Sequence, residues 1–196
     1  MVPKMVNLEN KTDAEIDQWI VNHERGGKTQ SPLFQELIVE RNRRHGKGLE
    51  ITASIAAMTK NAKEGRYISY ADLAAANELS LSKARLKMNG KHGHLDDLLA
   101  YCHSHGMPLL TAIVVEKAHI DSGEMDEGPL KAFVAGARRL GVSVSEPTEF
   151  LKQCQAECFE WAKTQSDAVD VTEATDAPDA SDATDATDAT DAVEEE

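Results

Sequence analysis

No run of about 18 apolar residues occurs in the 196-residue chain, so a membrane-spanning helix is not expected. Aromatic residues are scarce, at 5% of the sequence against 41% hydrophobic residues overall. One core of ordinary size can be built from that supply, and it must be mostly aliphatic. Cysteine is limited to three, an odd number. Cys154 and Cys158 stand one helical turn apart, where a helical backbone does not readily bring two sulfurs into bridging geometry. Reduced thiols in a cytosol are the simplest reading, and the residues after Met1 lack an apolar signal core.

Signatures of catalysis are missing as well. There is no GK[ST] phosphate loop, and Gly46-Lys47-Gly48 is too short to be one; GxSxG, HExxH and kinase patterns are absent. His92, His94, Cys102, His103 and His105 are capable of binding metal, but their spacing is not that of a closed zinc site. Cys102 and His103 are adjacent, so on a helix they point about 100° apart and do not form a nucleophile–base pair. The acids at Asp121, Glu124, Asp126 and Glu127 lack EF-hand spacing. A non-enzymatic protein with no cofactor and no metal is expected.

What is present is an uneven distribution of charge. The net charge of −13 belongs mainly to residues 167–196, which hold twelve Asp/Glu and no Lys or Arg. Residues 41–91 hold eleven Lys/Arg against four Asp/Glu, a net +7. Such a basic segment suits phosphate. The last thirty residues repeat Thr-Asp-Ala or near copies; small side chains and charge of one sign leave nothing to bury, so this tail is expected to be disordered. Opposed charges on tail and middle segment motivate an autoinhibitory reading. A DNA mimic and an inert extension are the other two.

Periodicity divides the body. Thr12-Asp13-Ala14-Glu15 is a capping box opening an amphipathic helix that Gly26-Gly27 ends. Ser31-Pro32 caps a second helix, with Leu33, Phe34, Leu37 and Ile38 inward and Arg41, Arg43 and Arg44 at its exit. A third runs over residues 49–63. Residues 70–77 and 82–89 read as two short helices behind a cap at Ser69, with a break between them. A further amphipathic helix follows, then an apolar strand at residues 109–115. Residues 129–140 and 147–164 are helical, and Val142-Ser143-Val144 is expected to pair in parallel beside residues 110–115. The fold class is therefore mostly α with a small β element. Its parts are an N-terminal helical segment (1–48), a continuous α/β core centred on a helix-turn-helix (49–166), and the acidic tail (167–196).

Ile68-Ser69-Tyr70-Ala71-Asp72-Leu73-Ala74 resembles the opening of the winged-helix DNA-binding domain in methylguanine alkyltransferases and alkyltransferase-like proteins. The likeness covers about 50 residues. It implies a helix-turn-helix whose second helix, from Ser82 to Asn89, lies against DNA. The family's Pro-Cys-His-Arg acceptor motif is missing: Cys102-His103-Ser104 has neither the proline nor the arginine, so no alkyl transfer is implied. The block at residues 108–115 is also similar to uncharacterised bacterial and phage proteins, a likeness that carries no activity.

The helix from Ser82 takes Ala84, Leu86 and Met88 as its apolar positions. Lys83, Lys87 and Lys91 lie four apart on one face as phosphate contacts, while Arg85 and Asn89 suit base edges. Arg41, Arg43, Arg44 and Lys47 are expected as outer phosphate holders. The function expected is a DNA-binding accessory or regulatory protein of a phage or mobile element. The alternative is a protein–protein inhibitor or adaptor, of anti-restriction type, acting through its acidic surfaces and tail.

Overall fold

A computed structural model describes residues 7–90 and 92–165 of the chain. Lys91 and the acidic tail, with the expectations attached to them, lie outside the described residues.

Helix α1 (Asp13–Arg25) opens on the anticipated capping box: Thr12 Oγ1 accepts from Glu15 N at 3.2 Å, and Glu15 Oε2 accepts from Thr12 N at 2.8 Å. Helix α2 (Pro32–His45) is capped by Ser31 and starts on proline. Helix α3 (Ile51–Lys63) ends ahead of Gly65, whose φ is +66°. Strand β1 (Ile68–Ser69) runs directly into α4 (Tyr70–Ala75), and Ser69 is at once the last strand residue and the helix cap, its Oγ accepting from Asp72 N at 3.1 Å. Then come α5 (Leu81–Met88), α6 (His94–Ser104), α7 (Glu127–Arg139) and α8 (Pro147–Thr164).

Helix α2 packs against α1 and α6; α3 packs against α6 and α8; α7 packs on α6 and α8. The core between them is mostly aliphatic, with Ile16, Ile20, Phe34, Leu37, Ile38, Met58, Leu73 and Leu98 wholly enclosed. Helices α1 and α2 supply core residues to the same cluster as α3–α8.

Two sequence expectations need correction. Residues 109–115 are not one strand: Leu110–Ile113 form a 3₁₀ turn, and only Val114–Val115 are extended, as β2. Every residue of this run is buried, and an apolar run buried on all sides does not distinguish strand from helix by its pattern. Pro108 and Leu109 set the turn, their carbonyls accepting from Leu110 N and Ala112 N, each at 2.8 Å. Second, residues 142–144 form no strand. Val144 O instead accepts from Arg138 Nη2 at 2.9 Å. The parallel partner of β2 is β1, in register Ile68 with Val114 and Ser69 with Val115.

A buried polar chain fastens the helices to one another. Asn42 Nδ2 donates to Leu49 O at 2.9 Å, which turns Asn42 Oδ1 toward His94 Nδ1 at 2.7 Å. His94 Nδ1 therefore carries the proton, and Nε2 accepts from Ser54 Oγ at 2.8 Å. Ser54 Oγ accepts in turn from Asn77 Nδ2 at 2.9 Å; Asn77 also donates to Leu73 O and accepts from Glu50 N. These four side chains join α2, α3, the end of α4 and α6, and all are at most 8% exposed.

Burial holds the His94 pKa down at about 4, against an ordinary 6.5. The unfolded chain takes up a proton near 6.5 while the folded chain resists until about 4. The resulting stability is complete above 6.5 and is lost as pH falls through that interval. His94→Gln, which cannot titrate, should show less acid sensitivity. Its stability deficit relative to the parent should shrink by about 3 kcal/mol between pH 7 and pH 4, measured by urea unfolding at each pH; a deficit constant with pH would contradict the assignment. Other groups titrating in this range are common to both proteins and drop out of the difference.

Candidate nucleic-acid interface

Helix α5 is joined to α4 by residues 76–80, with Glu78 in the left-handed region at φ +57°. Two residues seat it: Ala84 and Met88 are buried, at 1% and 0% exposure. At about 100° per residue, Leu86 then points directly away from the body. Leu86 is 88% exposed, which corrects its sequence assignment as an inward position; the alternate-residue pattern Ala84, Leu86, Met88 is not a helical stripe. Lys83 and Lys87 lie on one flank of this crest and Arg85 on the other. Lys83 and Arg85 are exposed, and Lys87 is half-buried. Among the described residues no carboxylate comes within 4.0 Å of Lys83, Arg85, Lys87 or Lys47. Asn89 follows the helix in extended conformation and is exposed.

The three arginines of α2, expected as outer phosphate holders, are placed quite differently, each with a carboxylate partner. Arg41 is 2% exposed. Its Nε and Nη2 lie 2.8 and 2.6 Å from Asp97 Oδ1, and Nη1 donates to His92 Nδ1 at 2.5 Å. Arg44 donates to Glu40 at 2.6 Å, to Asp13 at 2.9 Å and to the carbonyls of Lys11 and Leu8 at 2.6 and 2.8 Å. It ties the chain ahead of α1 to α2. Arg43 stays open to solvent but gives both Nε and Nη2 to Glu40, each at 2.7 Å. Hydrogen bonds from Arg43 and then Arg44, working against burial, hold the Glu40 carboxyl down at about 2. The spacing of Glu40 to Arg43 and Arg44 was the available sequence signal, since i,i+3 and i,i+4 partners face each other on a helix. Asp97, 56 residues from Arg41, gave no such signal.

Between the ends of α2 and α5 and the start of α6 lies a polar cleft of about 270 Å³, lined in part by Arg41, His45, Lys87, Asn89, His92 and Asp97. His92 accepts from Arg41, so its ring is uncharged with the proton on Nε2. Its backbone, at φ +65°, donates to Asp96 Oδ2 at 3.0 Å. Burial raises the pKa of the Asp97 carboxyl, and the charge and hydrogen bond of Arg41 oppose that rise. The connection from α5 to α6 is thus pinned from beneath by a buried ion pair.

The groups considered for catalysis are occupied elsewhere. Cys102 is wholly buried and its thiol is pushed up to about 12, so the reactive thiolate is disfavoured. His103 lies 3.1 Å from Thr29 Oγ1 through Nε2. Cys154 and Cys158 are free and buried. His119 sits between Asp126 at 3.1 Å and Glu124 at 3.7 Å. Among the described residues no three His, Cys, Asp or Glu side chains gather as a metal site.

Asp97→Leu leaves the Arg41 guanidinium buried without its counter-charge and should cost about 3–5 kcal/mol of stability. Arg41→Met combined with Asp97→Leu should recover most of that loss in urea denaturation. A harmless Asp97→Leu, or a double variant as weak as the single one, would contradict this account.

Comparison with protein-family models, with curated proteins and with solved structures finds no match for this chain.

Proposed function

We propose that the protein binds DNA through α5, as a non-enzymatic accessory or regulatory factor. The observation that supports this reading is the division of the basic residues into two sets. Arg41, Arg43 and Arg44 are consumed by carboxylates, whereas Lys83, Arg85, Lys87 and Lys47 have none within 4.0 Å among the described residues. In a winged-helix-like arrangement, β1 and α4 would brace α5 while its outer face enters a groove. Lys83 and Lys87 would hold phosphates along one flank, with Lys47 outside them. Arg85 and Asn89 would reach base edges, and Leu86, at the crest, would meet a thymine methyl or a sugar. Lys91 would extend the phosphate line.

The exposed Leu86 also favours the second reading, capture of a protein partner, because an apolar anchor ringed by polar groups is a common interface centre. In that reading the acidic surfaces and the twelve carboxylates of residues 167–196 would mimic or oppose a phosphate backbone.

Fluorescence anisotropy with a mixed-sequence duplex across a salt series separates the two. Replacing Lys83, Arg85 and Lys87 together by Glu should remove binding at low salt. Replacement of Lys83 and Lys87 by Gln should lower the slope of log K against log salt by about 2, near 0.9 for each lost phosphate contact. Arg43→Gln should leave affinity unchanged, since Glu40 already holds that side chain. Removal of residues 167–196 should tighten binding at low salt and have little effect once screening is strong. Duplex binding that ignores the α5 substitutions would remove the reading.

A further inference from the structure

On the other side of the α5–α6 connection is a second cavity, of about 220 Å³, between α6 and α7. Its walls are apolar: Leu95 and Leu99 from α6, Val114 from β2, Met125 from the loop ahead of α7, and Phe133 from α7. Two hydroxyl-bearing residues interrupt this lining. Thr111 is 6% exposed, and its Oγ1 is a buried hydroxyl with no hydrogen-bond partner. Tyr70, the first residue of α4, is 9% exposed. A buried hydroxyl without a partner is costly in a folded protein, and here the residue that carries it also lines a cavity. The charged groups in the lining compensate each other: Arg139 Nη2 donates to Asp96 Oδ1, and Arg139 Nε lies 3.9 Å from Glu24. Among the described residues of the lining, no unbalanced cation faces the space. Glu116 and Asp126 add negative potential at Tyr70, which, after burial, helps push its hydroxyl up to about 12 and so keeps it protonated.

We propose that this cavity binds a small uncharged molecule, one ring in size, bearing a single hydroxyl or amino group that hydrogen-bonds to Thr111 and Tyr70. Volume sets the size. An apolar protein cavity of about 150 Å³ accepts benzene, so this one has room for a ring and a substituent or two. The apolar walls supply affinity, and the two hydroxyls supply selectivity, because a site that offers buried polar groups discriminates against a ligand that leaves them unpaired. The charge balance selects against ions. Asn89, a proposed base contact, also borders this cavity, but the inference does not depend on DNA binding.

Methyl NMR titration of the full chain tests it, following Leu95, Leu99, Val114 and Met125. 4-Methylphenol should shift these signals saturably, and toluene should bind about tenfold more weakly. Benzoate and benzylamine should both bind more weakly than 4-methylphenol. Thr111→Val combined with Tyr70→Phe should bring 4-methylphenol and toluene to the same affinity. Ala132→Phe, at the exposed rim of the cavity, should abolish binding of both while leaving the fold intact. The proposal is overturned by no saturable shift with 4-methylphenol, by equal affinity for toluene in the parent protein, by preference for either ion, by a hydroxyl preference that survives the double substitution, or by undiminished binding to Ala132→Phe.

Discussion

Asn42, Ser54, Asn77 and His94 carry no net charge and touch no solvent to speak of, yet α2, α3, α4 and α6 are placed by them. Each donor and acceptor in the chain from Leu49 O to Leu73 O is matched, and the matching holds only with His94 neutral and in one tautomer. Removing any member would leave another buried and unpaired, at about 1–3 kcal/mol for each orphaned group. A polar network of this kind constrains more than it stabilises: apolar side chains tolerate small sliding of one helix over another, whereas these hydrogen bonds do not. The helices against which α5 packs, α4 and α6, are therefore held in register by contacts that α5 does not make.

That constraint explains why the basic middle of the sequence separates into two populations. Helix α2 must bury its inner face against α6, and Arg41 stands on that face. Desolvation of a guanidinium demands a carboxylate, and Asp97 on α6 provides it. Arg43 and Arg44 lie on the outer turn, where Glu40, one turn back, takes both. Helix α5 is held by only two buried side chains, Ala84 and Met88, and has no acidic residue in its eight positions. Its cations thus lack local partners. Net charge over residues 41–91 cannot separate a cation used for folding from one that faces solvent.

Much of the architecture was legible because it is written in local chemistry. The capping box at Thr12, the Ser31-Pro32 start, the Ser69 cap and the apolar spacing of residues 147–164 each specify a helix end or face without reference to distant residues. Three things were not legible, each for a physical reason. The run at residues 109–115 is enclosed on every side, so its pattern lacks the polar positions that would reveal a period. The pairing of β1 with β2 joins residues 46 positions apart across two strands of two residues each, too short to alternate. Leu86 was misassigned because positions 84, 86 and 88 follow a strand period on a helix, where residues two apart face in different directions. Of the candidate contacts, Lys83, Arg85 and Lys87 have no carboxylate within 4.0 Å among the described residues, whereas Arg41, Arg43 and Arg44 each have one, a difference that the charge count of the segment does not reveal.

The placement of Arg41 also changes what its loss would mean. Its guanidinium reaches His92 Nδ1 as well as Asp97, and His92 belongs to the link that carries the chain from Asn89 into α6. That link holds a left-handed backbone at His92, φ +65°, a conformation that costs about 1–2 kcal/mol for a side chain with a Cβ and persists only where neighbours impose it. Arg41 and Asp96 are those neighbours. A substitution at Arg41 would release the C-terminal end of α5 and blur the positions of Lys87 and Asn89. Any weakening of DNA binding that follows would resemble the loss of a direct contact, though the Arg41 guanidinium is engaged by Asp97 and His92. The two cases differ in their salt dependence: a lost phosphate contact lowers the slope by about one ion, whereas a disordered helix end lowers affinity at every salt concentration with the slope nearly preserved.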